Sequence, residues 1–153
     1  MNALEPGYLW VMRAHAALGT LIALFPAAIG GIIAHDEAGL PYLTFVVPVL
    51  LLSIYTILLR PARHHRAWGY RMDPRDLHIA RGVWTRVQTV VPLRRVQHID
   101  IAQGPIERAF GVCRLVLHTA GTMHSRVVLP GLGRATAEDM RDEIRSHIRE
   151  GAD

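Results

Sequence analysis

Nine histidines are the residues best suited to chemistry in this chain, because imidazole can bind a metal ion or transfer a proton near neutral pH. Three of them, His78, His98 and His118, fall at outward positions of separate predicted strands, so they could meet only if those strands were neighbours. No HExxH motif occurs, and the single cysteine, Cys113, leaves no Cys–His zinc spacing. The serines lack a nucleophile-elbow context, and no glycine-rich phosphate loop is present. The sequence therefore predicts no metal, no cofactor and no enzyme activity.

Arginine supplies every basic side chain apart from histidine, since the chain contains no lysine. Residues 60–134 hold 13 arginines against four acidic residues, a net charge of +9. A guanidinium group can bind phosphate in a bidentate manner, so arginines on one surface are candidate phosphate ligands. The candidate contacts for a phosphate or a lipid head group are Arg63, Arg66, Arg94 and Arg95. The same arginines could instead serve only membrane topology and solubility, and the sequence leaves both interpretations open.

The elements that must position these residues begin with two long apolar segments. Residues 16–34 and 40–59 contain no charged side chain over 19 and 20 positions. As helices, each would be ~30 Å long, which matches the thickness of a hydrocarbon core. The first run is longer than the apolar region of a typical signal peptide, and a second run follows almost at once. Residues 16–59 are therefore predicted to form a transmembrane helical hairpin.

Charged residues beside the spans predict the orientation of the hairpin. Arg13 precedes the first span, and residues 60–67 form a basic juxtamembrane linker, whereas the short loop between the spans carries Asp36 and Glu37. The positive-inside rule then places the N-terminal residues 1–15 and the chain after the spans in the cytoplasm. We expect a multi-pass protein of the cell (inner) membrane with both termini cytoplasmic.

Small residues recur every four positions along one face of the first span. They are Gly19, Ala23, Ala27 and Gly31. Such spacing allows another helix backbone to approach closely, on the second span or on another protein. An alanine-rich helix also produces such a stripe by chance. Pro26 and Pro48 fall near the middle of the two spans and predict kinks.

From Trp68 onward the sequence changes to the alternating pattern of half-buried strands. Strands are predicted over residues 76–80, 83–91, 97–103, 113–119 and 123–129. The inward positions include Ile99, Ile101, Cys113, Leu115 and Leu117. Pro130-Gly131 is expected to end the strands, and a helix over residues 136–149, with Thr136 as its N-cap, presents an apolar stripe to the sheet. That stripe consists of Ala137, Met140, Ile144 and Ile148. Residues 68–153 are therefore expected to form an antiparallel sheet or small barrel with a closing helix.

One polar stretch, residues 92–111 (PLRRVQHIDIAQGPIERAFG), has the composition of a binding site but is better explained as scaffold. Pro92 ends one strand and Gly104-Pro105 ends the next, after which a short helical turn closes at Gly111. Glu107 in that turn is expected to be exposed or paired locally. The polarity of the stretch is then the solvated side of an alternating pattern.

The segments LHIARGVWTR and VPLRRVQHIDIAQGPIERAFGVCRLVLHTAG, followed by the closing helix, resemble the bacterial PH domain of the YdbS/YdbT-like membrane proteins. The order of two spans, a basic flank and the domain is also that of the family. The resemblance implies a membrane α+β protein in which a two-helix transmembrane hairpin precedes a PH-like antiparallel β-barrel or sandwich with a C-terminal capping α-helix. It also implies no catalytic residue, a larger membrane partner with several such domains, and a link to envelope stress or antimicrobial-peptide resistance.

Two functions fit these observations. The domain could be a protein-interaction and assembly module at the inner leaflet, binding a membrane-protein partner or a second copy of the chain. Alternatively, its basic surface could bind anionic lipid head groups, since each basic residue near a charged leaflet contributes ~1 kcal/mol of attraction. No nucleic-acid partner is expected, because the chain lacks a recognition helix and stacking aromatic residues.

Overall fold

The structure, a computed structural model, describes residues 1–120 and 126–150. It divides the chain into two compact units. The helical unit consists of Val11–Arg63, and the β unit consists of Met1–Trp10 together with His64–Asp153. The chain therefore passes from one unit to the other twice.

Two long helical runs contain the apolar segments. The first is a single helix, α1, over Pro6–Ala38, which begins before the predicted span and ends after it. The second run covers Tyr42–Arg66. It consists of a 3-10 turn (Tyr42–Thr44), α2 (Val46–Ile54), a π turn (Tyr55–Leu59) and α3 (Arg60–Arg66). Both runs are long and apolar enough to cross a membrane, and only 6% of the apolar window of each is buried, as expected for helices that face lipid.

Prolines in these helices differ in their surroundings. Pro26 lies inside α1, which is helical on both sides of it. Pro48 is not in a helix interior as predicted, because it lies in the first turn of α2, where a missing N–H leaves no hydrogen bond unmade. Pro61 directly follows the first residue of α3. In a regular helix its ring would clash with the preceding turn, and the wider π turn just before it relieves that clash.

The β unit contains two three-stranded antiparallel sheets, and its elements follow in chain order. The first sheet consists of β1 (Gly69–Met72), β2 (Asp76–Arg81) and β3 (Val87–Pro92). The second consists of β4 (Val96–Ala102), β5 (Val112–Thr119) and β6 (Arg126–Gly133). The helix α4 (Pro105–Ala109) joins β4 to β5, and α5 (Arg134–Glu150) follows β6. The described strands form a sandwich and no closed barrel, which confirms the predicted PH-like sandwich with a C-terminal helix.

The core of the β unit consists mainly of leucine, valine and isoleucine from both sheets and α5. The inward positions predicted on β4 and β5 are confirmed, since all of them belong to this core or pack against it. The apolar stripe on α5 is also confirmed. Ala137, Met140 and Ile144 are buried, and Ile148 packs against the core. Burying each such large apolar side chain contributes about 2 kcal/mol relative to leaving it in water.

The predicted first residues of one strand and of the C-terminal helix are wrong. β3 begins at Val87 and not at residue 83, because Gly82 adopts φ +110 and the chain forms a loop over residues 82–86. α5 begins at Arg134, so Thr136 is its third residue and not its N-cap. The strand predicted over residues 123–129 falls partly outside the described residues, which resume at 126.

The prediction that Pro130-Gly131 ends the strands is also wrong, because both residues lie inside β6. Cys113 of β5 pairs with Leu132, whereas Leu115 pairs with Leu129, so β6 contains one extra residue in this interval. Such a β-bulge tolerates the missing N–H of proline and bends the strand. Gly131 has φ +68, a conformation that glycine adopts without strain.

A segment that we call the N-terminal strap, residues 2–8, connects the two sheets. Asn2 and Tyr70 of β1 exchange backbone hydrogen bonds of 2.6 and 3.0 Å. The Glu5 N–H donates to the Gly131 carbonyl of β6 at 2.8 Å. Leu4, between these hydrogen bonds, is 3% exposed and belongs to the core. The strap thus belongs to the β unit, although it precedes the first apolar span and the rest of the unit follows the second. The sequence predicted residues 1–15 only as a cytoplasmic N-terminus and gave no signal of this contact.

Candidate functional site

One cleft of the β unit, about 400 Å³ in volume, lies where the β1–β2 turn, the β3–β4 turn and α5 meet, and we call it the distal cleft. Its basic side chains are Arg75, Arg94 and His147. The remaining lining residues are Pro74, Asp76, Pro92 and Leu93. Two guanidinium groups and an imidazole around one cavity can donate hydrogen bonds to an anion such as a phosphate or a carboxylate.

Local structure fixes the two arginines of the distal cleft relative to each other. The Leu93 N–H donates to the Arg75 carbonyl at 2.9 Å, so the two turns that carry the arginines are joined. Leu93 is 1% exposed and anchors the 3-10 turn in the core, while the neighbouring Arg94 is exposed. Among the described residues, neither Arg75 nor Arg94 has an acidic side chain within ion-pair distance. Their charges are therefore available to an external anion.

His147 adds a donor that depends on protonation. Its Nδ1 donates to the Glu143 carbonyl one turn earlier on α5, at 2.8 Å. Since a carbonyl only accepts, the Nδ1 of the neutral ring carries the proton, and Nε2 can donate to an anion only when the ring is protonated.

A second cleft, about 260 Å³ in volume, contains Arg66 and Arg86, and we call it the proximal cleft because the chain reaches β1 at this end of the sheet. Its walls are formed by Met1, Asn2, Ala3, Ala67, Trp68, Gly69 and Ala80. The two clefts lie at opposite ends of β2. Ala80, near the end of the strand, pairs with Gly69 and lines the proximal cleft, whereas Asp76, the first residue of the strand, lines the distal cleft. At ~3.3 Å per residue, the two ends of β2 are ~17 Å apart.

The four arginines predicted as phosphate contacts lie in different places. Arg94 lines the distal cleft and Arg66 lines the proximal cleft. Arg95 is exposed on the same 3-10 turn as Arg94 but lines neither cleft. Arg63 belongs to the helical unit.

Sequence reasoning missed Arg75, Arg86 and His147 as cleft residues. Arg75 follows the Asp73-Pro74 turn signal, and Arg86 follows the loop after Gly82, so each is visible in the sequence as a basic residue at a turn. Which turns lie at the same end of the sheet depends on strand pairing, which the sequence pattern does not specify. His147 has no such signal, because its position depends on how α5 docks.

Two outward histidines do meet on the second sheet. His98 and His118 are paired across β4 and β5, and their Nε2 atoms lie 2.8 and 3.4 Å from the two carboxylate oxygens of Asp100. His78 is on the other sheet, with its Nε2 3.3 Å from Asp73. These side chains are partly or largely exposed, so each pair contributes little stability. In the described part of the chain, no group of histidine, cysteine and carboxylate side chains could hold a metal ion.

Glu107 is buried, with 7% exposure, and has a structural role. One of its carboxylate oxygens accepts the Gly104 N–H at 2.7 Å and lies 3.6 Å from Nε of Arg114. The first hydrogen bond caps α4, which begins at Pro105. Local pairing was expected from the sequence, but burial was not. This carboxylate therefore stabilises the fold and is not a candidate catalytic or ligand-binding group.

The small-residue stripe of α1 divides into two parts. A Cβ atom at Gly31 would collide with the carbonyl oxygen of Tyr42, so glycine is required there for close approach of the two helical runs. The His35 ring stacks on Tyr42 nearby, with centroids 3.7 Å apart. At the other end, a Cβ at Gly19 would meet nothing within 4 Å, and Ala23 is exposed. Gly31 thus serves the hairpin itself, whereas Gly19 and Ala23 have no such function in the described chain.

Cys113 is a core residue with 1% exposure, and burial raises the pKa of its thiol. Its Sγ lies 3.5 Å from the Leu132 carbonyl of the neighbouring strand. A thiol that is protonated and shielded from solvent is a poor nucleophile. This agrees with its predicted inward position on the strand.

The fold and the two apolar helical runs define a transmembrane protein with a PH-like domain. The chain belongs to the bacterial PH domain family, whose model matches residues 17–148. It is similar to the UPF0699 transmembrane protein YdbS of Bacillus subtilis (strain 168), with 34% identity over 95 residues. That match covers 62% of this chain and 58% of YdbS, so it spans less than two thirds of the relative. No solved structure matches the chain.

Proposed function

We propose that this protein is a membrane-anchored interaction module whose β unit, on the cytoplasmic side of the cell membrane, binds an acidic segment of a partner protein in the distal cleft. The expected partner is a larger membrane protein with several PH domains or a second copy of this chain. As the family resemblance implies, the assembly would serve envelope stress or resistance to antimicrobial peptides. The proposal includes no catalytic step.

The observation that carries the proposal is the pair of arginines, Arg75 and Arg94, that line one cleft without an acidic partner among the described residues. Charged groups left unpaired at a concave surface favour a complementary ligand. The distal cleft lies at the end of the first sheet opposite the point where the chain arrives from the second apolar run.

A second copy of the chain would itself supply an acidic segment. The first ten residues of α5 include Glu138, Asp139, Asp142 and Glu143. Asp142 and Glu143 are exposed, so they could enter the distal cleft of a neighbouring molecule. Homo-oligomerisation is therefore one form of the same proposal.

Co-purification of the full chain from native membranes in mild detergent tests this function. The test variant carries Arg75→Glu and Arg94→Glu, and a matched control carries Arg108→Glu and Arg145→Glu, which change the net charge equally at exposed positions outside the cleft. We expect a stoichiometric membrane-protein partner, or a second copy, with the wild type and the control but not with the cleft variant. Retention of the partner by the cleft variant, or a wild-type chain that purifies alone as a monomer, would contradict the proposal.

A second candidate function is binding of anionic lipid head groups at the proximal cleft. The specific observation is that Arg66 and Arg86 share this cleft at the end of the sheet where the chain arrives from the apolar run. Arg63 precedes Arg66 by one helical turn on α3. Basic groups close to an anionic leaflet are attracted to it, and the attraction weakens with salt.

This second function is tested by the lipid that the purified chain retains. The full chain is used, because a fragment starting at Trp68 would lack Leu4 and the rest of the N-terminal strap. In mixed micelles of phosphatidylglycerol and phosphatidylcholine, Arg66→Glu with Arg86→Glu should reduce the retained phosphatidylglycerol, whereas Arg108→Glu with Arg145→Glu should not. Equal retention by both variants would remove the candidate.

A further inference from the structure

We propose that the β2–β3 loop, residues 82–86, is a second point of attachment to the membrane, in which Trp84 inserts into the head-group region of the bilayer that holds the chain's own helices. The inference rests on the transmembrane anchorage of the family and not on the distal cleft, and it shares one residue, Arg86, with the proximal cleft. It therefore concerns how the domain is oriented on the lipid surface, and it can fail independently of the partner-binding proposal.

The exposure of Trp84 is the first observation. Its side chain is 89% exposed, and no large apolar side chain in the described part of the chain is more exposed. Phe25, inside the apolar helix α1, reaches 73%. The membrane interface accommodates both the apolar body and the N–H of an indole ring, and tryptophan is enriched there.

The conformation of the loop places Trp84 at the tip of the β2–β3 hairpin. Gly82, with φ +110, turns the chain directly after β2, and a side chain at this position would collide with the carbonyl of Thr85. Thr85 and Arg86 are also exposed, and the loop ends where β3 begins at Val87. The tip of the hairpin therefore consists of one large apolar ring on a short, defined turn.

The position of the loop in the fold is the second observation. Arg81 at the end of β2 pairs with Val87, and Ala80 pairs with Gly69, the first residue of β1. The loop thus extends from the end of the sheet that the chain reaches three residues after α3 ends at Arg66. This is the end of the first sheet that the chain reaches directly from the second helical run.

The charges beside the tryptophan fit an anionic lipid surface. Arg81 and Arg86 flank the loop, and both are exposed. Among the described residues, neither forms an ion pair. An apolar ring between two arginines combines insertion with attraction to phosphate groups, which is the chemistry of an interfacial anchor.

Spin-label depth measurements on the full chain in nanodiscs test the proposal. A nitroxide is attached to Thr85→Cys, which leaves Trp84 in place, and a control nitroxide is attached to Arg75→Cys at the opposite end of β2. The buried Cys113 should not be labelled in the folded protein. Each label is examined with Trp84 and with Trp84→Ala, in phosphatidylcholine alone and with phosphatidylglycerol added.

In discs with phosphatidylglycerol, we expect the label at position 85 to collide more with oxygen than with a water-soluble nickel chelate, and the label at position 75 to show the reverse. Trp84→Ala should return the label at 85 to the aqueous pattern, and removal of phosphatidylglycerol should weaken the insertion. A label at 85 as accessible to nickel as that at 75, or one unaffected by Trp84→Ala, would overturn the proposal. Insertion equal in both lipids would overturn the role of the two arginines.

Discussion

Replacing Leu4 with alanine tests whether the N-terminal strap is part of the folded β unit. Leu4 lies before the first apolar span in sequence, yet it is only 3% exposed and packs in the core formed after the second span. Truncating a buried leucine removes its transfer free energy and leaves a cavity, at a cost of 2–5 kcal/mol. A position near the chain terminus can relax, so we expect about 3 kcal/mol. For a unit of this size, that loss corresponds to a decrease of ~15 °C in the melting temperature.

Cys113 provides the assay, because it is the only cysteine and is buried in the same core. The full chain in detergent or nanodiscs is heated with a dye that becomes fluorescent on reacting with a thiol, so unfolding of the β unit is read directly. Leu21→Ala is the matched control, since Leu21 is 68% exposed on α1 and its truncation should leave the transition unchanged. Amide exchange adds a local readout, because the Tyr70 N–H donates to the Asn2 carbonyl and should exchange faster in Leu4→Ala.

A Leu4→Ala transition that coincides with the wild-type transition, together with unchanged protection of the Tyr70 amide, would refute the reasoning. Residues 2–8 would then make no stabilising contribution to the β unit. The β unit would fold without them, and a fragment beginning at Trp68 would be an adequate substitute for the full chain.

Further predictions concern the cap, the hairpin and alkaline pH. Glu107→Ala should lower the stability of the β unit by about 2 kcal/mol, since it removes the capping hydrogen bond to the partly buried Gly104 N–H. The exposed Glu143→Ala should be neutral in the same thiol-dye melt. Gly31→Ala should reduce the yield of folded protein in membranes by preventing close approach of the helices, whereas Gly19→Ala should not; equal yields would contradict the assigned packing. Burial raises the pKa of Cys113 and, with help from the Glu5 carboxylate, that of Tyr70. Because the folded state holds these protons more tightly, their contribution is complete below about pH 9 and should be lost at higher pH. Chemical denaturation followed by tryptophan fluorescence should show this decline, and Cys113→Ala should reduce it.

The strands and spans were predictable because each is encoded by a local pattern. The alternation around Leu115 and Leu117 specifies the buried face of β5, and the uncharged runs over residues 16–34 and 40–59 specify the two apolar helices. These signals depend on neighbouring residues alone, so the sequence contains them in full.

The N-terminal strap was not predictable in this way. Asn2 and Glu5 each make a backbone hydrogen bond with a residue more than 60 positions away, and an isolated short segment with one buried leucine shows no periodicity. The bulge at Pro130-Gly131 was missed for a related reason, since proline and glycine ordinarily indicate a turn and only the register with β5 reveals that the strand continues.

For the candidate sites, the sequence predicted the type of ligand but not the positions of the residues that would bind it. The excess of arginine indicated anion binding, but the division of the arginines into two clefts follows from the β1–β2 register and the docking of α5. Arg94 and Arg66 were identified from the sequence as members of one set, whereas the strand register assigns them to opposite ends of the first sheet.

Sidedness of the β unit is the central claim, and cysteine labelling in intact cells tests it most directly. Glu37→Cys introduces a thiol in the last turn of α1, near the connection between the two helical runs. Arg95→Cys introduces one on the exposed 3-10 turn of the β unit. The buried Cys113 remains as an internal negative control. With a membrane-impermeant maleimide, we predict labelling at position 37 in intact cells and at position 95 only after permeabilisation. Labelling at position 95 in intact cells would contradict the cytoplasmic location of the β unit.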